Sequence, residues 1–470
     1  MYKVVMLALS LLVTAVGNAQ DPESDGSKFD FDENFEKDAK FVLVDNYSHY
    51  LFSANNNYGT AANKGVAILR KFDQKSQLLD EYVLSFPPVD DRTAYTYLGS
   101  VEIDQNRMLI VSESLSGKAK RKDIHYHIFD KRTNEFTTTL LKSYTVESDY
   151  KSGSILFSSS RNKQYFGVAI SEHAGRKDPK TIHVNVIDVD ALTSGMEKTV
   201  SFEDNFFNKA FIITDSGKAV LLRTHYGMKV QNSLWLINGG NLTELPLPEG
   251  VLMQEPVAVS IAQKEYLVGF NYSTKGIRSN DFNKFLMYDV GSGQVVSNNE
   301  VKVFDKVPEL KDVVVRRIDV INESVNVFVD AKYKVGTKGY KSNTLSAVEI
   351  TTDAFSFGHP HQIVMDYSGE VRLVKPLKRF YNNLSEIHHS FNVVLVNGDY
   401  YVADDFGFGP LTEEGTSSHS FARNPKDHRS NNALWINQLS IYKPDAKEVV
   451  FTRLQDGKMQ LVHRKVLGQN

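Results

Sequence analysis

One stretch constrains the fold of this chain more than any other. From Leu98 to Leu141 it reads LGSVEI, the turn DQNR, MLIVSES, a long basic loop LSGKAKRK, DIHYHIF, the turn DKRTNE and FTTTLL. Alternating apolar residues interrupted by Asn, Asp, Gly and Ser signal strands joined by turns, so the stretch predicts one four-stranded antiparallel sheet. The same pattern recurs along the chain. Opening hairpins begin at Phe41, Ser100, Ser154, Ala210, Val257, Val315 and Phe391, and closing hairpins turn at Asp73, Asp130, Asp188, Gly239, Asp289, Thr352 and Asp445. Both series count seven, with closing turns 57, 58, 51, 50, 63 and 93 residues apart.

A four-stranded unit of about 50 residues points to propeller blades rather than to a solenoid. A lone four-stranded meander leaves two half-apolar faces in water, whereas a ring of such units buries each face against its neighbour. The expected fold is therefore all-β: a seven-bladed β-propeller of four-stranded antiparallel blades, preceded by a signal peptide. The single domain spans 41–466, with blades at about 41–86, 96–142, 153–203, 209–247, 256–304, 313–358 and 390–466. An insertion is expected at 359–389 and a long loop at 406–432. In these units the chain resembles the bacterial secreted β-propellers of the WD40/YVTN-like superfamily, over nearly all of its mature length. The resemblance is architectural. The sequence has no repeated Trp-Asp, no regular YVTN string and no Gly-Lys-Trp blade ending, so it implies a fold and carries over no ligand, cofactor or site residue.

The first 19 residues have the layout of an export signal: Lys3, an apolar run from Val4 to Val16, and Gly17-Asn18-Ala19 before a cleavage point at Gln20. Residues 20–40 are acidic and read as a flexible lead-in. No later stretch is apolar enough to predict a membrane span after signal cleavage. With zero cysteines the chain has no disulfide, thiolate metal site or cysteine nucleophile. An exported chain of this size without disulfides fits the periplasm or secretions of a Gram-negative bacterium. A net charge of −3 argues against a nucleic-acid partner.

Candidate sites follow from the loops of a propeller. Loops between second and third strands carry Lys118, Lys120, Arg121 and Lys122, and Lys332, Lys334, Lys338 and Lys341, which predict a basic face suited to an anionic glycan or an envelope protein. At the central mouth of that face the reading places Tyr95, Tyr97, Arg316, Arg317, His388 and His389, with Arg423 in the last long loop, as ligand-binding residues. The expectation is a monomer without cofactor or metal that acts by binding. The alternative is a glycan-active hydrolase or lyase using Asp404 or Asp405 with His388. His125 with His127, and His359 with His361, each have half the spacing of a zinc site, without further ligands to complete it.

Overall fold

Eight separate antiparallel sheets make up the structure, a computed structural model, and they form a propeller of eight blades. It describes residues 24–31, 36–55, 66–85, 93–147, 152–171, 180–203, 206–226, 230–247, 251–253, 256–273, 281–301, 313–321, 323–341, 349–377, 391–396, 398–404, 407–412, 414, 421–422, 434–443, 447–455 and 457–465. The signal peptide at 1–19 lies outside the described residues.

Blade 1 consists of Glu36–Val42, Ser48–Asn55, Val66–Asp73 and Leu78–Ser85. Blade 2 consists of Thr93–Glu102, Arg107–Ser116, Arg121–Asp130 and Glu135–Thr145. Blade 3 runs from Ser154–Ser159 through Tyr165–Ser171 and Lys180–Asp188 to Ser194–Phe202. Phe207–Ile213, Ala219–Tyr226, Val230–Asn238 and Asn241–Leu245 form blade 4. In blade 5 the first strand is split into Val251–Met253 and Val257–Ile261, both paired to Lys264–Ser273, and Asp281–Asp289 and Val295–Glu300 follow. Blade 6 holds Val313–Ile321, Ser324–Lys341, Glu349–Met365 and Val371–Pro376. Blade 7 holds Asn392–Val396, Asp399–Asp404, Gly407–Pro410 and Phe421–Ala422. Blade 8 is built from both chain ends: Leu434–Trp435 and Ile441–Lys443 pair with Glu448–Gln455, then Lys458–Lys465, and Ser24–Asp30 closes the outer edge.

Seven blades is thus corrected to eight. The stretch from Phe391 onward holds two blades whose halves read as one. The outer strands of blade 7 are four and two residues long, too short for alternation to register. Blade 8 takes its outer strand from the opposite chain end, so no local pattern announces it. The 93-residue interval between Thr352 and Asp445 was the visible sign of an extra unit. Two further expectations change with it. Residues 359–389 are not wholly an insertion, because the third strand of blade 6 continues to Met365 and Val371–Pro376 is its fourth. Within the lead-in at 20–40, two segments are strands, Ser24–Asp30 and the start of Glu36–Val42. Polar side chains hid Ser24–Asp30, because an outer strand needs only one apolar face, and the inner strand Glu36–Val42 opens on the polar run Glu36-Lys37-Asp38.

Packing shows why eight sheets make one body. Eight apolar clusters occupy the eight junctions between neighbouring blades. Phe52 with Ile110 joins blades 1 and 2, Val111 with Phe166 blades 2 and 3, and Val184 with Phe211 blades 3 and 4. Leu222 with Tyr288, Phe270 with Val327, Phe328 with Val402 and Ala403 with Phe451 continue the ring through blade 8. Phe29 and Leu461 meet Leu51 and Phe72 to close it. Because second strands are covered on both faces, they read as continuous apolar runs such as MLIV in blade 2, whereas the outer strand Glu135–Thr145 is mostly exposed.

The recurring aspartates have a structural cause. Asp73, Asp130, Asp188 and Asp289 each end a third strand, Asp366 directly follows one, and all five accept backbone N–H bonds from the turn that follows, as with Arg132 N to Asp130 Oδ1 at 2.9 Å and Ser368 N to Asp366 Oδ1 at 2.9 Å. The bond from Arg132, together with these N–H groups, holds the Asp130 carboxyl down at about 2.

Where the ring closes, a polar relay is sealed inside. Lys443 Nζ lies 3.4 Å from His49 Nδ1, His49 Nε2 lies 3.1 Å from Ser76 Oγ, Ser76 Oγ lies 2.5 Å from His463 Nε2, and His463 Nδ1 lies 3.6 Å from Glu448. A charged lysine can only donate, so one direction satisfies the chain: Lys443 to His49, His49 to Ser76, Ser76 to His463, and His463 facing the Glu448 carboxylate. Both imidazoles are then neutral. Burial first, and the Lys443 charge second, push both histidines below their ordinary range. The N-terminal strand lies over this relay. Ser27 N donates to Ser76 O at 3.0 Å, and a side chain at Gly26 would run into Ser76 O.

Candidate functional site: the axial hub

In each blade the first strand bonds to a single neighbour and leaves its other edge toward the axis. Arg161 sits in the turn between the first two strands of blade 3 and reaches blade 6, with blades 4 and 5 between them, so it crosses the axial space. Its Nη2 donates to Asp319 Oδ1 at 2.6 Å and its Nη1 to Ile318 O at 3.5 Å. Arg317, two residues before Asp319 and therefore on the same strand face, donates Nε to Asp319 Oδ2 at 2.6 Å and Nη1 to Val393 O of blade 7 at 2.8 Å. Tyr400 of blade 7 completes the group with its hydroxyl 3.5 Å from Asp319 Oδ2. Burial, then the Asp319 charge, raises the Tyr400 phenol well above its ordinary range, so it stays protonated and donates.

Asp319 is buried while the two arginines are 42% and 39% exposed. A buried carboxylate needs partners, and here two charge-assisted bonds near 2.6 Å supply them. The arginines carry one charge more than the carboxylate balances. Two cavities share Arg161, Arg317 and Asp319. One, of about 410 Å³, is walled by Phe211, Ile212, Ile213, Pro256, Val257 and Ala258 with Ser158 and Ser159; the other, of about 390 Å³, includes Asn162, Asp215, Ser260 and Leu395. Both lie toward the axial end where first-to-second-strand turns gather.

The residues singled out from the sequence are placed as follows. Arg317 is in the hub. Arg316, the extra residue of a bulge between Val315 and Arg317, has its Nε 2.9 Å from the buried Asp330. Tyr97 is packed against Phe52 at the blade 1 to blade 2 junction, and its hydroxyl meets Asp38 and, at 2.9 Å, Ser100 Oγ. Tyr95 belongs to the first strand of blade 2. His388, His389, Arg423 and Asp405 lie outside the described residues. Asp404 is completely buried at the end of the second strand of blade 7.

In blade 2, Lys118 and Lys120 of the loop and Arg121 at the start of the third strand are exposed, but Lys122, next on that strand, is buried with its ammonium 3.1 Å from Glu113. Lys332, Lys334, Lys338 and Lys341 lie on the second strand of blade 6, which runs with the third as a long ribbon to the Lys341–Glu349 pair. His127 is buried, its ring nitrogens 2.9 Å from Ser112 Oγ and 2.8 Å from Thr138 Oγ1, and burial lowers it to about 3. His361 is buried in the third strand of blade 6, and His359 is in that strand too. Among the described residues no three His, Asp or Glu side chains are grouped to hold a metal ion.

Sequence reasoning missed Arg161, Asp319 and Tyr400. For Asp319 a signal was present, since VRRIDVI places three charges on an otherwise apolar inner strand. Arg161 gave none, because a charged residue in a tight turn is ordinary.

No family model matches the sequence, and no curated protein matches it. Among solved structures, the propeller domain of the Trilobed protease from Pyrococcus furiosus is similar at 10% identity, covering 93% of this chain and 96% of that one, with a TM-score of 0.37. Pyrococcus horikoshii acylaminoacyl peptidase matches at 11% identity over 89% of this chain and 57% of its own, TM-score 0.38, and Penicillium chrysogenum alpha-L-arabinanase at 12% over 72% and 95%, TM-score 0.36. These likenesses are too distant to carry a functional argument, and the propeller rests on the eight sheets themselves.

Proposed function

We propose that this chain is a non-enzymatic binding propeller of the bacterial envelope that holds an anionic group of its partner at the axial hub. The observation that carries this reading is the Arg161–Asp319–Arg317 group, in which two half-exposed guanidiniums share one carboxylate beside two cavities. Such an arrangement favours bidentate capture of an anion. The exposed Lys118, Lys120 and Arg121 add long-range attraction at the opposite end of the ring. The glycan-hydrolase alternative gains no support from Asp404, which water does not reach. Export rests on the Lys3, Val4–Val16 and Gly17-Asn18-Ala19 layout, and a mature protein recovered from cells should begin at Gln20.

Calorimetric titration of the mature protein with oligogalacturonate and with poly-glutamate, at low and high salt, tests the binding reading. At least one should bind, more weakly as salt rises, and an Arg161→Gln/Arg317→Gln double variant should lose it. If neither anion binds and a peptide carboxylate shows no binding that depends on these arginines, the reading is sunk, as it is by turnover of the polysaccharide.

A further inference from the structure

From the walls of the 410 Å³ cavity we infer that the hub takes the free carboxyl end of a peptide whose last residue is apolar. This rests on the anion-binding reading of the same site and narrows it to a ligand class.

Three features of the cavity agree. First, charge: Arg161 and Arg317 face it with Asp319 as the one acid, leaving a single positive charge to neutralise. Each guanidinium has five N–H donors, and each uses two on Asp319 and a backbone carbonyl, so donors remain for a carboxylate. The second cavity is the poorer receiver of an anion, because it adds Asp215, a carboxylate already accepting from Asn162 N and Ser260 Oγ. Second, apolarity: beside the arginines, Phe211, Ile212, Ile213, Pro256 and Ala258 are buried and Val257 is half-buried, so what these residues offer the space is a narrow apolar strip between strand edges. A uronic oligosaccharide has no apolar group to cover that strip, whereas an apolar terminal side chain does, with the strand edges left for the backbone. Third, backbone: the first strands of blades 3, 4, 5 and 6 turn an edge to the channel. Strand edges hydrogen-bond peptide amides and offer nothing to a hydrocarbon chain, which favours a peptide end over a fatty acid. A volume of 410 Å³ lies in the range of about 300–1,000 Å³ that small-ligand pockets occupy.

Fluorescence polarisation with a dansylated Gly-Ala-Val-Leu peptide carrying a free carboxyl, set against its C-terminal amide, decides the matter on the mature full chain. The acid should bind at least about tenfold tighter than the amide, as expected when charge-assisted bonds are lost. Arg161→Gln and Arg317→Gln should each weaken the acid and hardly move the amide. Asp319→Asn removes the carboxylate that competes for the arginines and should tighten the acid, the opposite of what a purely structural role predicts. Should that variant not fold, the acid and amide comparison on the unaltered chain still decides. Equal binding of acid and amide overturns the inference, and so does octanoate displacing the probe as well as unlabelled peptide acid. Oligogalacturonate binding that needs Arg161, with no peptide binding, overturns the peptide assignment and leaves the anion-binding reading standing. If no probe depends on Arg161 or Arg317, both fall.

Discussion

At the hub, Arg161 and Asp319, 158 residues apart, tie blade 3 to blade 6; at the seam, Ser76 and His463, 387 residues apart, tie blade 1 to blade 8. Both contacts join residues far apart in the chain, yet their chemistry is opposite. Hub groups are charged, their arginines are half exposed, and cavities lie beside them. Seam groups are buried, their imidazoles are held neutral, and a strand lies over them. Solvent access accounts for the difference. Where water reaches, guanidiniums keep their charge and spare donors for a ligand; where it does not, the charges stand only at the ends of the relay, on Lys443 and Glu448, and the groups between them are neutral and arranged donor to acceptor. On the proposed reading the hub is the region left to meet a ligand, whereas the seam holds the ring shut.

The most severe way to break this comparison is to remove the covering strand. Deleting residues 24–31 takes away Phe29 and Phe31, both buried in the closing cluster, and opens the relay to water. At roughly 1.5–3 kcal/mol for each buried aromatic, with the strand pairing lost as well, the cost should reach about 5 kcal/mol. Thermal unfolding followed by circular dichroism should show a large fall in Tm or loss of a cooperative transition. An unchanged Tm would mean that closure does not depend on the N-terminal strand. Gly26→Ala is the milder version, since its methyl has no room against Ser76 O.

Next in size is the relay itself. Ser76→Ala leaves His49 and His463 without their shared hydroxyl in a buried setting, and each unsatisfied group costs about 1–3 kcal/mol. Ser76 also holds a positive φ of 56°, so Ser76→Gly should recover about 0.5–1 kcal/mol relative to Ala by relaxing the backbone. Urea denaturation of the two variants should rank Gly above Ala, and the reverse ranking would mean that the backbone there is unstrained.

Acid should separate the two regions further. The folded pKa values of His49 and His463 are depressed, by burial first and by Lys443 next, while Asp45 acts on His49 and Glu448 and Asp73 on His463 in the other direction. A depressed imidazole contributes stability that is complete above the unfolded value of about 6.5 and lost as pH falls below it. Protonating His49 sets two donors, Lys443 and the imidazolium, against each other. Protonating His463 forces Ser76 to receive from both sides. Tm should therefore decline from pH 7 to pH 5. His125 and His127, also lowered by burial, act in the same direction, so the seam's share is what a His49→Gln/His463→Gln double variant removes from the slope. If that variant keeps the full slope, the relay is not what acid attacks.

How much of this was legible in the sequence follows from range. Blades 1 to 5 were visible because their strands alternate and their turns carry Asp73, Asp130, Asp188, Gly239 and Asp289 at near-regular spacing, all local signals. Blade 8 was hidden because its pairing of Ser24–Asp30 with Lys458–Lys465 joins the two ends of the chain. The hub was half legible, since Arg317 stood out on an apolar strand while its partner Arg161 came from a turn in another blade. The seam was illegible: His49, Ser76, Lys443 and His463 acquire meaning only when closure brings them together.

The smallest effect should come from the hub, and it sharpens the contrast most. In Arg161→Gln the buried Asp319 loses one guanidinium but keeps Arg317 at 2.6 Å and the Tyr400 hydroxyl. The lost partner is 42% exposed, so solvent screens much of its attraction and the destabilisation should be about 0.5–1 kcal/mol, the scale of an exposed ion pair. Guanidiniums do not titrate between pH 5 and 8, so this deficit should be constant over the range in which the seam loses stability. Parallel urea curves for wild type and Arg161→Gln at pH 5 and pH 7.5 measure both quantities. A deficit of several kcal/mol would make the hub contact a structural tie like the seam, and its arginines would then be committed to the fold rather than open to a ligand.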